Sequence, residues 1–471
     1  MEKTAGISDI VISVPRLYIP IANRNNPSEP TEFSLSRKKD PNYYLNGIGI
    51  AKMAIPDTYQ DAVVLVANSI DELMERNNLS PSEINRIEIG TESAPDKSKS
   101  IVNYVIGSLE KKYGEGSLKR CASPQGQAAC ASPAYGVENA LDWVWAGRSN
   151  GSCRIVCGAD ITRYPLKNGS GQPQEILGEH TQGAAAAAIL IESNPKLMEF
   201  DKIIGHYNED EDSFFRPDHS KVPLGDGKKT EKMYLKAMRE AFTHYAEQAA
   251  ASGLIKLKEG EALTDHFDLL SFHQPFPKMT ENGLAALLIH EYRNLPRWQP
   301  IIREIGSEPK SEDFASEIAF EQARDDFRKR FRMTKTFQEV FQSKMADGRE
   351  ASIEEGNSYT ASIWNHLVSL LSIKDGRGED LRGKKGGMGF FGSGCVAIGQ
   401  SYTVVPEYQR AVKSFNLMEK LKNRTAISLQ DYEDLHESRP LSGGREFILP
   451  PKNEFVLTEI KNGYRYYDFV D

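Results

Sequence analysis

The sequence has few cysteines and no long apolar run. Its 471 residues include five cysteines, none of them in a C-x-x-C pair, so neither a structural zinc site nor a disulfide framework is predicted. No stretch approaches the ~20 apolar residues that a helix needs to cross a bilayer. The chain opens with Met-Glu-Lys-Thr rather than with an apolar segment. We therefore expect a cytoplasmic protein that is neither secreted nor inserted in a membrane.

An excess of positive charge is also absent. The chain has 58 lysines and arginines against 66 aspartates and glutamates, a net charge of −8. This balance argues against wholesale binding of nucleic acid. Charged residues make up 26% of the chain and hydrophobic residues 39%, which is typical of a globular enzyme. The length exceeds one compact core, so two fused core units are expected.

Segments with strand-like and helical patterns follow one another along the chain, and the second half repeats the order of the first. Strands are predicted at residues 7–14, 84–90, 154–160, 183–191 and 266–272. Helices are predicted at 59–77, 101–113, 234–250, 313–345 and 356–371. Residues 386–394 indicate a glycine-rich turn before a strand-like run at 395–405. A polar stretch at 208–230 is interpreted as the seam between the halves.

Cys130 is the centre of the first half. Small residues surround it, and Val137, Leu141 and Val144 follow at helical spacing, so a buried helix is predicted to begin just past the sulfur. A thiol at a helix N-terminus faces unpaired N–H groups, which favours the thiolate. The small neighbours would let a pantetheine arm or a second chain come close. The alternative is an ordinary buried cysteine, which is the commoner case for a cysteine taken alone.

Two further side chains at the ends of predicted strands have chemistry complementary to that of Cys130. A carboxylate in a dry pocket, such as Glu92, can take a proton from the carbon next to a thioester carbonyl. A histidine, such as His273, can donate to a ketone oxygen as it becomes an alkoxide. With a cysteine that accepts an acyl group, they favour carbon–carbon bond formation between thioesters. The alternatives are a helix cap or a salt bridge to Lys97 for Glu92, and a backbone-satisfied strand end for His273.

Two segments look like phosphate-binding loops but do not support a nucleotide site. Residues 387–392 satisfy G-x-G-x-x-G, but a strand-like run follows them where a dinucleotide site needs a helix. Residues 225–230 lack the glycine spacing of a Walker A loop.

Several distinctive motifs follow one another along most of the chain. They include Phe-His-Gln-Pro-Phe-Pro-Lys at 272–278 and Gly-Asn-Ser-Tyr-Thr-Ala-Ser at 356–362. The others lie at 49–53, 72–80, 89–93, 96–100, 158–161 with Tyr164, and 392–394. With these motifs the chain resembles the 3-hydroxy-3-methylglutaryl-CoA (HMG-CoA) synthases of the thiolase superfamily.

The resemblance implies an α/β fold of the thiolase type, with αβαβα layers built from two similar halves. Residues 1–195 would form the half with Glu92 and Cys130. Residues 196–471 would form the half with His273 and carry a charged helical insertion at about 306–350. The resemblance also implies a homodimer.

The implied reaction transfers acetyl from acetyl-CoA to Cys130. Glu92 would then act as general base on the acetyl methyl, and the carbanion would attack acetoacetyl-CoA. His273 would hold and protonate the ketone, and water would free HMG-CoA from the cysteine. The two CoA thioesters are substrates, and no cofactor or metal is expected.

The resemblance further assigns residues that bind substrate. These are Tyr164, Asn168, Thr181, Lys278, Asn357 and Ser393, of which Lys278 matches a lysine that contacts CoA. The chain departs from the family at residues 131–134, where Ala-Ser-Pro-Ala replaces a pattern close to Tyr-Gly-Gly-Thr. Proline suits the start of a helix, so we expect the fold to be kept while the acyl pocket changes in size or polarity.

Two other functions stay open. The first is an HMG-acyl-carrier-protein synthase of polyketide β-branching, because the basic residues between Arg324 and Lys335 would suit an acidic carrier protein, although a solvated helix face has the same pattern. The second is a non-catalytic acyl-thioester-binding protein of thiolase fold, with residues 131–134 closing the pocket.

Overall fold

The computed structural model describes residues 4–164, 166, 178–217, 220, 222–437 and 446–471. Within them the helices are α1 (Glu32–Ser36), α2 (Ala62–Asn77), α3 (Ile101–Tyr113), α4 (Ser132–Trp145), α5 (Gly227–Ala251), α6 (Pro277–Tyr292), α7 (Trp298–Ile305), α8 (Glu317–Met333), α9 (Lys335–Lys344), α10 (Arg349–Glu355), α11 (Ser362–Gly376), α12 (Gln409–Ser414), α13 (Leu417–Lys422) and α14 (Leu429–Glu437). The strands are β1 (Ala5–Ser13), β2 (Leu17–Pro20), β3 (Lys52–Ile55), β4 (Ile84–Gly90), β5 (Gln125–Gly126), β6 (Cys153–Ile161), β7 (Ala184–Ser193), β8 (Met198–Asn208), β9 (Phe214–Phe215), β10 (Leu224–Gly225), β11 (Leu269–Phe272), β12 (Lys385–Gly392), β13 (Val396–Val404), β14 (Thr425–Ala426), β15 (Glu454–Lys461) and β16 (Tyr464–Val470).

The main sheet has nine strands in the order β11-β12-β13-β8-β1-β7-β6-β4-β5. It consists of two groups, one from each half of the chain. The groups join where β1 pairs with β8, and that pairing spans only Gly6 with Glu199 and Ile7 with Met198. The sheet therefore behaves as two sheets that share a short edge.

Helices form three layers around these two strand groups. Helices α2 and α3 cover the outer face of the first group, and α5 packs on the outer face of the second with α6 beside it. Helices α4 and α11 lie between the groups and share one hydrophobic core with β1, β7 and β13. The predicted αβαβα layering is confirmed.

Strand β7 shows why the layers are close together. Its alanines alternate between the two cores, with Ala185 and Ala187 facing the central layer and Ala184 and Ala186 facing α2. Both faces of the strand are buried, as the sequence predicted for the run at 183–191. Small side chains on both faces let helices approach the strand closely.

Most predicted elements match the structure within a few residues, and the strand at 84–90 and the helix at 101–113 have the predicted bounds. The prediction of a glycine-rich turn over 386–394 is wrong, because β12 runs through residue 392 and the turn comes only afterwards. A Cβ at Gly389 would lie 2.1 Å from Met238 and 2.9 Å from Phe242. Gly389 therefore lets α5 pack against the strand and does not mark a turn.

The charged segment at 313–345 is two helices rather than one, because Thr334 ends α8 and caps α9. Phe327 and Phe331 are buried, as the amphipathic pattern predicted. Several basic side chains pair with acidic residues of the same helix, including Arg328 with Asp325 at 2.7 Å. The outer face is therefore an ion-paired helix surface of the solvated kind.

The predicted boundary at 195/196 falls between β7 and β8, but the division into two domains stays a prediction. None of the helices in the described ranges is both long and apolar enough to span a bilayer.

Candidate active site

A tight turn before α4 presents Cys130. Ala129 has a left-handed backbone with φ of 47°, a conformation that non-glycine residues adopt only when the surroundings hold them there. The Ser132 hydroxyl accepts from the Ala128 N–H at 2.6 Å and donates to the Ala129 carbonyl at 2.7 Å. A Cβ at Gly392 would lie 2.3 Å from the Ala128 carbonyl, so the end of β12 braces the turn from the other half.

The Cys130 thiol donates a hydrogen bond to Glu92, with 3.0 Å between Sγ and Oε1. Glu92 lies two residues beyond the end of β4, and from there its side chain reaches the sulfur. Burial raises the pKa of Cys130 well above its ordinary value, and the charge of Glu92 raises it further. The prediction that the helix N-terminus would favour a thiolate is wrong for this resting site, because burial and a neighbouring carboxylate outweigh the helix dipole.

The Glu92 carboxyl has a pKa suited to moving protons near neutral pH. Burial raises its pKa to about 7, and the nearby charge of Asp160 acts in the same direction, while the Cys130 hydrogen bond opposes both. A base with a pKa near the working pH can take a proton and return it in the same turnover.

Asp160 ties Glu92 to the second half of the chain. It is fully buried in β6 and accepts from the Glu92 N–H at 2.8 Å and from the Ser93 hydroxyl at 2.7 Å. Its other oxygen accepts from the Thr360 N–H at 3.1 Å and hydroxyl at 2.6 Å. Asp160 has no role among the predictions from the sequence, although an aspartate inside an apolar strand is a signal of a functional site.

His273 follows β11 and is held from several sides. Its carbonyl accepts from the Tyr234 hydroxyl at 2.8 Å, and its Nδ1 lies 2.8 Å from the Ser362 Oγ. The Gln274 N–H donates to the same Oγ at 3.3 Å. We assign the Ser362 hydroxyl as the donor and Nδ1 as the acceptor, because Nδ1 lies within reach of the one proton that this hydroxyl can donate. The other ring nitrogen, Nε2, then carries the N–H. Burial lowers the pKa of His273 to about 3, so the ring is neutral.

A cavity of about 440 Å³ lies against Cys130 and His273. Four predicted binding residues line it as well, namely Tyr164, Thr181, Asn357 and Ser393. Much of the remaining lining is apolar or aromatic, for example Phe214, Tyr234, Phe276, Met279 and Phe391. Polar groups at one end of an apolar cavity suit a ligand with a reactive head and a long, weakly polar arm.

The stretch at 208–230, interpreted from the sequence as a seam, contributes to this cavity. Phe214, Pro223, Gly225 and Asp226 line it, and the Asp226 carboxylate caps α5 by accepting from two of its N–H groups.

Among the predicted binding residues that the structure describes, Lys278 is not in the lining. Lys278 stands in the first turn of α6 with its Nζ 3.1 Å from Glu281, and Glu281 also pairs with Arg332 and Arg349. Asn168 lies outside the described residues. The proposed contact of Lys278 with CoA stays a prediction.

The unusual residues 131–134 belong to the core. All four are buried, and Pro133 stands in the first turn of α4. Among the described residues that line the cavity, Cys130 is present and these four are not. They therefore do not close the cavity.

The layered fold, a thiol and an imidazole that line one apolar cavity, and a carboxylate hydrogen-bonded to the thiol define an enzyme of the thiolase class. Family models described as hydroxymethylglutaryl-coenzyme A synthase N terminal and C terminal match residues 4–195 and 198–470. The chain belongs to the hydroxymethylglutaryl-CoA synthase family.

Individual relatives span nearly the whole chain. The hydroxymethylglutaryl-CoA synthase of Haloferax volcanii is 31% identical over 446 residues, which cover 94% of this chain and 96% of the relative. The Schizosaccharomyces pombe enzyme of the same name is 27% identical over 478 residues, covering 100% and 97%. The structure of MvaS in complex with 3-hydroxy-3-methylglutaryl coenzyme A has a TM-score of 0.81 at 27% identity and covers both chains fully. The curacin pathway HMG synthase, solved with an apo donor-ACP, shares the fold with a TM-score of 0.75 at 20% identity, covering 99% of this chain and 100% of that one.

Proposed function

We propose that this enzyme condenses an acetyl group with acetoacetyl-CoA to give HMG-CoA, using Cys130, Glu92 and His273. The observation that carries the assignment of residues is the hydrogen bond of 3.0 Å between Cys130 and Glu92 beside the apolar cavity that His273 also lines.

The first stage acylates the cysteine. The Cys130 thiol passes its proton to Glu92 as the sulfur attacks the acetyl-CoA carbonyl. The carbonyl–sulfur bond to CoA then breaks, and CoA leaves as a thiol with that proton. Thiol exchange of this kind is nearly balanced in energy, so the site needs only to supply and remove one proton.

The second stage forms the carbon–carbon bond. Glu92 takes a proton from the acetyl methyl, and the resulting carbanion attacks the ketone carbon of acetoacetyl-CoA. The neutral ring of His273 donates a hydrogen bond to the ketone oxygen as it becomes an alkoxide. A neutral imidazole is a poor source of a whole proton, so we assign the proton of the product alcohol to protonated Glu92 rather than to His273.

The partners of this reaction are CoA thioesters, and the proposal requires no cofactor besides these substrates. We further propose a cytoplasmic homodimer that supplies the mevalonate pathway and isoprenoid biosynthesis. The carrier-protein alternative depended on basic residues of α8, and several of these pair with acidic residues such as Asp325 and Asp326. Comparing turnover of free CoA thioesters with that of carrier-bound thioesters separates the two.

The direct test is mass spectrometry after mixing the enzyme with acetyl-CoA. We expect an acetyl group on Cys130, and HMG-CoA once acetoacetyl-CoA is added. A protein that binds acetyl-CoA without forming the adduct would be the non-catalytic binding protein instead.

The pKa of Glu92 predicts the pH dependence of the condensation. The base acts as carboxylate, and its pKa is raised to about 7. We therefore expect exchange of the acetyl methyl protons with solvent to be fast above pH 7 and to fall as the pH is lowered through that value. Deuterium incorporation into acetyl-Cys130 measures it. A profile that is flat between pH 5 and 8 would exclude Glu92 as the base.

His273→Ala is expected to leave acetylation of Cys130 intact and to lower condensation by roughly 10²-fold, as the loss of one donor to a developing oxyanion does. Binding of acetoacetyl-CoA should weaken too. Ser362→Ala is the matched variant, because it keeps the ring but removes the group that fixes its tautomer. We expect Ser362→Ala to lower the rate of condensation roughly 10-fold. If acetylation fails first in His273→Ala, the histidine serves the thiol instead.

A further inference from the structure

A second cavity, of about 250 Å³, lies against Glu92. Glu92, Ala94 and Tyr359 line it, and so do three arginines, Arg163, Arg216 and Arg465. Arg216 is exposed, so the cavity reaches the surface. Arg465 comes from the C-terminal hairpin and pairs with Asp61 at 2.7 Å.

The catalytic pair, Cys130 and Glu92, contacts both cavities. Cys130 lines the larger, apolar cavity, whereas Glu92 lines the smaller one. Tyr359 and Pro223 line both. Cys130 and His273 are only 7% and 2% exposed, whereas Glu92 is partly exposed. Glu92 is thus the member of the site that lines the polar cavity.

The order of chemical steps creates a need for a second route. After condensation the product is bound twice, through its new thioester to Cys130 and through its other thioester to CoA. The CoA arm then still fills the apolar cavity, so water cannot reach the Cys130 thioester along it. A charged cavity is also where water is stable, since ordered water needs several polar partners.

We propose that the arginine-lined cavity delivers the water that hydrolyses the acyl–Cys130 bond, on the side of the catalytic pair opposite to the CoA arm. This inference rests on the proposed function. Glu92 takes a proton from the water as its oxygen bonds to the acyl carbon. The carbon–sulfur bond breaks and the sulfur recovers that proton from Glu92. The new carboxylic acid releases the second proton of the water to solvent and leaves as a carboxylate.

The proposal is tested by filling the cavity. Ala94→Leu adds bulk there and changes none of the three reacting groups. We expect acetylation of Cys130 and formation of the covalent condensation product at wild-type rates, with hydrolysis slowed roughly tenfold, so that the adduct accumulates. Acid quench and mass spectrometry of the enzyme measure all three steps. Ala250→Leu, at an exposed position of α5, is the matched control and should leave them unchanged.

A second measurement needs no variant. Hydroxylamine is a small polar nucleophile that cleaves thioesters, and desulfo-CoA fills the CoA site without accepting the acetyl group. We expect hydroxylamine to cleave wild-type acetyl-Cys130 at nearly the same rate with and without saturating desulfo-CoA. Strong protection by desulfo-CoA, or an Ala94→Leu enzyme that hydrolyses its adduct at the wild-type rate, overturns the second route. If the wild-type enzyme forms no acetyl-Cys130 at all, the proposed function fails instead.

Discussion

Cys130→Ser abolishes turnover and leaves the fold intact. The hydroxyl is nearly isosteric with the thiol, so the turn at residues 128–132 can keep its hydrogen bonds. A serine hydroxyl is a far weaker acid and nucleophile than a thiol, and Glu92, with a pKa of about 7, is too weak a base to compensate. We expect a loss of at least about 10³-fold, as for other covalent nucleophiles.

This result is checked by two measurements on the same preparation. Mass spectrometry should find no acetyl adduct, and thermal unfolding should match that of the wild type within a few degrees. Cys121→Ser is the control, because Cys121 is partly exposed and does not line the site. Substantial HMG-CoA formation by Cys130→Ser would rule out the covalent mechanism.

Glu92→Ala still acetylates Cys130 but does not condense the acetyl group. Removing the carboxylate removes a charge that raises the pKa of the thiol, so a larger share of Cys130 is thiolate and can attack acetyl-CoA without first passing its proton to Glu92. A thioester α-proton is far less acidic than a carboxylic acid, so its removal needs a positioned base. Loss of such a base costs roughly 10²–10⁴-fold, and a carbon acid belongs at the severe end.

Methyl-proton exchange and product formation are followed together for this variant. Both should fall in parallel while acetyl-Cys130 accumulates. Glu88→Gln is a suitable control, because Glu88 lies on β4, the strand that leads to Glu92, but pairs with Arg86. Condensation by Glu92→Ala at a near wild-type rate would mean that another group is the base.

The sequence identified the three side chains that the proposed reaction uses, but not their charge states. Cys130 was expected to be a thiolate, because the small residues and the following helix are visible in the sequence. The burial of the sulfur and its distance of 3.0 Å from Glu92 cannot be read from the sequence. The two residues are 38 positions apart in the sequence, and only the pairing of β4 and β6 with the helix α4 packed on them brings them together.

The support of His273 shows the same limit. Its place after a strand is readable from the motif, but its tautomer depends on Ser362, which lies 89 positions away. The prediction of a turn at the glycines of β12 is wrong for a related reason. A glycine run looks like a turn until the side chains that occupy its missing volume, such as Met238, are known. Local pattern identifies elements, whereas long-range packing decides what a glycine or a polar residue does within them.

The position of Asp160 couples the two substrate-handling halves mechanically. One carboxylate oxygen restrains the backbone of Glu92 and the other restrains Thr360, three residues beyond Asn357 in the cavity lining. Displacement of the 357–360 segment would remove the two Thr360 donors from Asp160, make its negative charge less stable and change the electrostatic field at Glu92. The pKa of the Glu92 carboxyl therefore depends on a residue, Asp160, whose hydrogen-bond donors come from both halves of the chain.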